Sequence, residues 1–245
     1  MEDEQKPEIS AHVRQRLAGA RSAQRIKNHN LYFEKDMLAL RSYDRRPWPL
    51  FQREAGEYLD EMDKFFPDAK SRFAQCIEER NEQKKPIIVV ELAGAADATG
   101  LGADVTISAT LRSDIGRIPG ESQVIVEGDL LQKKVQDELL RSVRTHGKIS
   151  LLVFLPKGAA GPYASNAYAY DSIGRLLSHL EKEMAPLGQM YVNLDYIRTQ
   201  VPLEKVFEGT NSVVESGAPL DARVGIDQWK SKNVFRILQK ESKKS

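Results

Sequence analysis

One cysteine, four histidines and no long apolar run set the first limits on this chain of 245 residues. Cys76 has no partner for an internal disulfide, which suits a reducing compartment and gives the expectation of a cytoplasmic protein. His12, His29, His146 and His179 are scattered and form no metal-ligand spacing with Cys76, so no metal site is expected. No stretch approaches the roughly 18 apolar residues of a membrane span. The first seven residues are acidic and polar, unlike the basic-then-apolar start of a secretory leader. A Gly-x-Ser-x-Gly turn, a phosphate-binding Gly-x-x-x-x-Gly-Lys-Ser/Thr loop and an intact Gly-x-Gly-x-x-Gly are all absent. Serine hydrolysis, nucleotide hydrolysis and ordinary NAD binding therefore rank low.

Net charge is also nearly absent, at +1, but its distribution is uneven. Between Ala11 and Arg53 there are ten basic residues and three acidic ones, among them Arg14, Arg16, Arg21 and Arg25. A basic arm of this kind fits a polyanion or nucleic acid, although charge runs more often mark a solvated helix face. Ser10 is placed to cap a helix over 11–28, and a second is expected over 31–41. Pro47 and Pro49 break the pattern. A helix over 50–65 carries Phe51, Ala55, Tyr58, Leu59 and Met62 at three- and four-residue spacings, and another follows Pro67 with Ala69, Phe73, Cys76 and Ile77 on its inner side. The aromatics here read as packing. Residues 1–83 are expected to form a basic helical extension, and 84–245 an α/β domain.

The second part changes character at Lys84-Lys85-Pro86. The run 87–92 is continuously apolar up to Glu91, as in a strand buried on both faces of a parallel sheet. Strands are further expected over 105–111, 123–127, 149–155 and 189–196. Helices are expected over 132–145, closed by Gly147, and over 167–184, ended by Pro186-Leu187-Gly188. Segments 221–226 and 233–240 are candidates for an antiparallel pair at one edge. This alternation predicts a Rossmann-like, doubly wound, mostly parallel sheet, with the ends of 92, 127, 155 and 195 along one edge. In such sheets ligands bind beyond the carboxyl ends of the strands, where the strand order reverses.

The strand ends are Glu91-Leu92-Ala93-Gly94-Ala95-Ala96-Asp97, Gly128-Asp129-Leu130 and Leu155-Pro156-Lys157-Gly158, followed by the turn 186–188. Their order resembles the class I S-adenosylmethionine-dependent methyltransferases from about residue 87 to 240. The resemblance implies that Glu91 lies near the cofactor's methionine part, with the loop of Ala93, Gly94, Ala95 and Asp97 beside it. It implies that Asp129, after Gly128, binds the adenine amino group and that Leu130 packs on the ring. Pro156 and Lys157 would lie near the methyl-transfer position as substrate contacts.

The chain departs from that pattern. The family's three glycines fall on Ala93, Ala95 and Asp97, where side chains would crowd the cofactor or repel its carboxylate. The link 93–104 is short for a full crossover helix. No clear ribose-binding acid follows the second strand; Asp114 is the nearest. The Asp/Asn-Pro-Pro-Tyr/Phe signature of amino methyltransferases is missing, and no catalytic residue is assigned. Two readings stand: a methyltransferase of unknown acceptor, or a cofactor-free scaffold of the same fold that associates with nucleic acid through its basic arm.

Overall fold

A computed structural model describes residues 55–94, 98–110, 122–154, 167–193, 203–217 and 234–239. The basic arm 11–53, and with it the helices expected over 11–28 and 31–41, lies outside the described residues. So do Ala95, Asp97, Asp114, Pro156, Lys157 and the strand expected over 221–226.

Seven strands form one sheet. In chain order they are β1 (Ile88–Leu92), β2 (Val105–Thr110), β3 (Gln123–Glu127), β4 (Ile149–Phe154), β5 (Met184–Asn193), β6 (Ser212–Gly217) and β7 (Val234–Gln239). Their spatial order is β3-β2-β1-β4-β5-β7-β6. The first five are parallel throughout, and β7 joins β5 and β6 antiparallel. This is the doubly wound, mostly parallel α/β sheet expected from the apolar runs. β7 meets the expected edge segment, but its described antiparallel partners are β5 and β6. The sequence Ser212-Val-Val-Glu-Ser-Gly217 is too polar to have announced itself as a strand.

The helices are α1 (Ala55–Asp63), α2 (Ala69–Glu82), α3 (Lys133–His146), α4 (Ala167–Glu181) and the short α5 (Leu203–Val206). Every residue of β1 is buried because the two faces of the sheet are both covered. Alternation sends Ile88, Val90 and Leu92 to one side, where they pack with Val135, Leu139 and Val143 of α3 and with Ile173, Leu176 and Leu180 of α4. Ile87 and Val89 go to the other side, against Tyr58, Leu59, Met62, Phe66 and Phe73. Each fully buried aliphatic side chain contributes about 1.5–3 kcal/mol, so neither helical layer is dispensable. Helices α1 and α2 thus cover one face of the sheet, although the composition shift at 84 separates them from it in sequence.

Arg236 fixes that layer. The residue is 6% exposed, and its guanidinium pairs with Asp68 at 2.5 Å and Glu215 at 2.6 Å and lies 4.7 Å from the Phe66 ring centroid. Two helix and strand ends differ from the sequence expectation. α4 stops at Glu181, and β5 begins at Met184, before the Pro186-Leu187-Gly188 turn. The turn is accommodated inside β5 as an irregularity in its pairing with β4, with Leu187 at φ 57°. Gly147 does close α3, at φ 128° and with its N–H donating to the Val143 carbonyl at 2.8 Å.

Candidate functional site

The parallel strands all end on one edge, at Leu92, Thr110, Glu127, Phe154 and Asn193. β1 has β2 on one side and β4 on the other, so strand order reverses between β1 and β4. The crevice beyond that point is the expected ligand position of an open α/β sheet.

Glu91 continues the row of Ile87 and Val89, which places its carboxylate on the side covered by α1. There the Tyr58 hydroxyl donates to Glu91 Oε1, across 33 residues of sequence. Glu91 is 5% exposed. Gly94 folds against it so closely that a Cβ at position 94 would overlap the Glu91 carboxyl group. A larger residue at 94 would force the Glu91 carboxyl group to move.

Ala93 has φ 62°, in the left-handed region that L-residues with a Cβ enter at a cost of about 1–2 kcal/mol. Its N–H donates to the Ala109 carbonyl at 2.8 Å, and its methyl packs against the apolar cluster of α3 and α4. The backbone here has the shape a glycine would favour, although the residue is alanine. The link to β2 holds only a one-turn 3-10 helix, Thr99–Leu101, among its described residues. The second strand ends in Thr110, a neutral residue.

At the end of β3, Gly128 has φ 138° and its N–H donates to the Thr110 carbonyl at 2.8 Å. The space left by its missing Cβ is filled from within: a Cβ there would lie 2.7 Å from Val135 Cγ2. Asp129 is 3% exposed; its Oδ1 accepts the Leu131 N–H at 2.9 Å, and its carbonyl accepts the Gln132 N–H at 2.8 Å. This turn directs the chain into α3. Leu130 is 2% exposed within the apolar cluster, and its carbonyl accepts from Gln136 Nε2 at 2.7 Å. The same amide nitrogen donates to Ser172 Oγ at 2.8 Å, tying α3 to α4.

The register aligns Glu91 with Ser108 on β2, and Ser108 with Ile125 on β3. With neighbouring strands about 4.8 Å apart, the ends of β1 and β3 stand about 10 Å apart, the span of a nucleoside-sized molecule. The structure therefore brings Glu91, Ala93, Gly94, Gly128, Asp129 and Leu130 to one edge. Sequence periodicity could not have found Tyr58, because its spacing matches that of any packing residue on α1. Among the described residues, no group of three His, Cys, Asp or Glu side chains could hold a metal ion, and no helix is long and apolar enough to cross a membrane. An open depression of about 530 Å³ lies elsewhere, between the end of α4, the segment 206–211 and the end of β7, lined by residues including Glu181, Lys182, Asn211 and Gln239.

No protein-family model matches the chain, and no curated protein matches it by sequence. Several solved structures are similar to it in fold. A TehB-like SAM-dependent methyltransferase from Corynebacterium glutamicum shares 10% identity, with 71% of this chain and 100% of that chain covered and a TM-score of 0.38. The N-methyltransferase NodS from Bradyrhizobium japonicum shares 13% identity over 71% of this chain and 98% of that one, with a TM-score of 0.39. Human methyltransferase-like protein 13, solved with SAH, shares 10% identity over 66% and 75%, with a TM-score of 0.40. Strand order and register, rather than these distant likenesses, define the chain as a Rossmann-like, doubly wound α/β protein.

Proposed function

We propose that the chain binds S-adenosylmethionine at the β1/β4 switch point and is a methyltransferase whose acceptor is unidentified. The observation that carries this reading is the pair of buried acids, Glu91 and Asp129, on one edge of the sheet at the ends of β1 and β3. Their strands are separated by the width of a nucleoside. Glu91 would accept from the methionine ammonium, and Asp129 from the adenine amino group. The bound cofactor would supply an electrophilic methyl group. The protein's part would be to hold and orient the cofactor beside the acceptor, which needs no catalytic base of its own.

Three features favour a second reading, a scaffold of the same fold that takes no cofactor. Alanine stands at 93, Leu130 is already buried within the protein, and the Asp129 side chain already holds a turn. Calorimetric titration with S-adenosylmethionine and S-adenosylhomocysteine separates the two. Saturable heat at micromolar to low millimolar ligand supports the enzyme reading. Absence of heat at millimolar concentration of either ligand defeats it and leaves the scaffold.

A further inference from the structure

We propose that Tyr58 is a latch on the ligand site: its hydroxyl occupies the Glu91 carboxylate, and a ligand that uses this acid as an acceptor must displace it. The proposal rests on the reading of Glu91 as a ligand-binding acid. Its support is the geometry around that one carboxylate. Oε1 accepts from Tyr58, the backbone at Gly94 abuts the carboxyl group, and the residue is 5% exposed. Little of Glu91 is open to solvent while α1 stays in place. Tyr58 is itself only 9% exposed and belongs to the apolar cluster over β1 and β4, so its ring has a fixed seat from which the hydroxyl reaches the acid. α1 also packs against the Thr99–Leu101 turn of the link that follows β1. The helix therefore lies over both the acid and the loop that would border the ligand.

The latch fits ligands whose contact with Glu91 is a strong donor, such as a primary ammonium. An ammonium adds the attraction of opposite charges to its hydrogen bond with a carboxylate, which a neutral hydroxyl does not. A small molecule carrying an α-amino group can therefore win the exchange, whereas one presenting only ether or carbonyl oxygens leaves the latch shut.

The test compares wild type with Tyr58→Phe, which keeps the ring packing and removes only the hydroxyl. S-adenosylhomocysteine, which carries the α-amino group, is the probe, with calorimetry for affinity and amide hydrogen exchange over residues 59–63 as an independent readout. Tyr58→Phe is expected to bind about 10-fold more tightly, the scale set by losing a competing hydrogen bond to a charged group. In wild type the ligand is expected to speed exchange across 59–63. In the variant, exchange there is already faster and the ligand adds little. Equal or weaker binding by Tyr58→Phe, or ligand-induced protection of 59–63 in wild type, overturns the latch while leaving cofactor binding intact. If neither protein binds at millimolar ligand, the cofactor reading itself has failed and the latch falls with it.

Discussion

Gly128 offers the sharpest test of what a glycine at the end of β3 is for. The sequence pattern assigns it to close approach of a ligand, whereas the structure sets it against the α3 side chain Val135. Replacing it with alanine brings two separate costs. The backbone at φ 138° is a region that residues with a Cβ rarely occupy, at about 1–3 kcal/mol. The new methyl would sit 2.7 Å from Val135 Cγ2, an overpacking that typically costs a further 1–3 kcal/mol, roughly. Gly128→Ala alone should therefore destabilise the protein by about 2–6 kcal/mol. Val135→Ala alone removes two methyl-sized groups from a site that is 1% exposed, costing about 2 kcal/mol. Together the substitutions retain the backbone strain but relieve the clash. The double variant should then be more stable than the two single effects summed, by about 1–3 kcal/mol. Guanidinium denaturation of all four proteins gives this coupling directly. Additivity within about 0.5 kcal/mol would refute the packing explanation and return Gly128 to a purely conformational or ligand-facing role.

Asp129→Ala should weaken S-adenosylhomocysteine binding by about 1.5–3 kcal/mol in calorimetry, if the acid holds the adenine amino group. Its loss of the Leu131 bond should also lower stability by about 1 kcal/mol, a change that Asp129→Asn, with its amide carbonyl, should largely avoid. Burial alone would raise the Asp68 carboxyl, but hydrogen bonding and attraction from Arg236 outweigh it and hold its pKa below the ordinary 3.8. That depressed folded-state value means the stabilisation is complete above pH 3.8 and fades as pH falls through the folded pKa. Arg236→Met should accordingly show its largest stability deficit near neutral pH, with a narrower gap in denaturation curves below pH 3.8. Cys76 is buried and its thiol is pushed above its usual range by desolvation, so a thiol-specific reagent should label it only upon unfolding; rapid labelling of the native protein would contradict this placement. Exchanging Arg14, Arg16, Arg21 and Arg25 for Gln should lower the salt concentration that elutes the full chain from heparin; unchanged elution would remove the case for a polyanion-binding arm.

The sequence by itself determined the parallel heart of the sheet. Runs such as 87–92 and 149–155 are apolar at every consecutive position but one, and only a strand covered on both faces buries such a run economically. Val135, Leu139, Leu140 and Val143 likewise fix the inner face of α3, because helical spacing is a local property. The acids at the ends of β1 and β3 were legible for the same reason: each directly continues a recognisable strand. What only the tertiary structure decided depends on contacts between distant segments. Helices α1 and α2 belong to the sheet through Phe66, Phe73 and the Arg236–Asp68 ion pair, none of which a shift in composition at 84 reveals. β6 is a strand because β7 offers it an edge, although its own residues have no apolar alternation. Gly94 and Gly128 look alike in sequence, yet one makes room for the Glu91 carboxylate and the other for a valine of α3. Tyr58 meets Glu91 only because folding carries α1 across the end of β1, and periodicity along a chain holds no record of a neighbour 33 residues away.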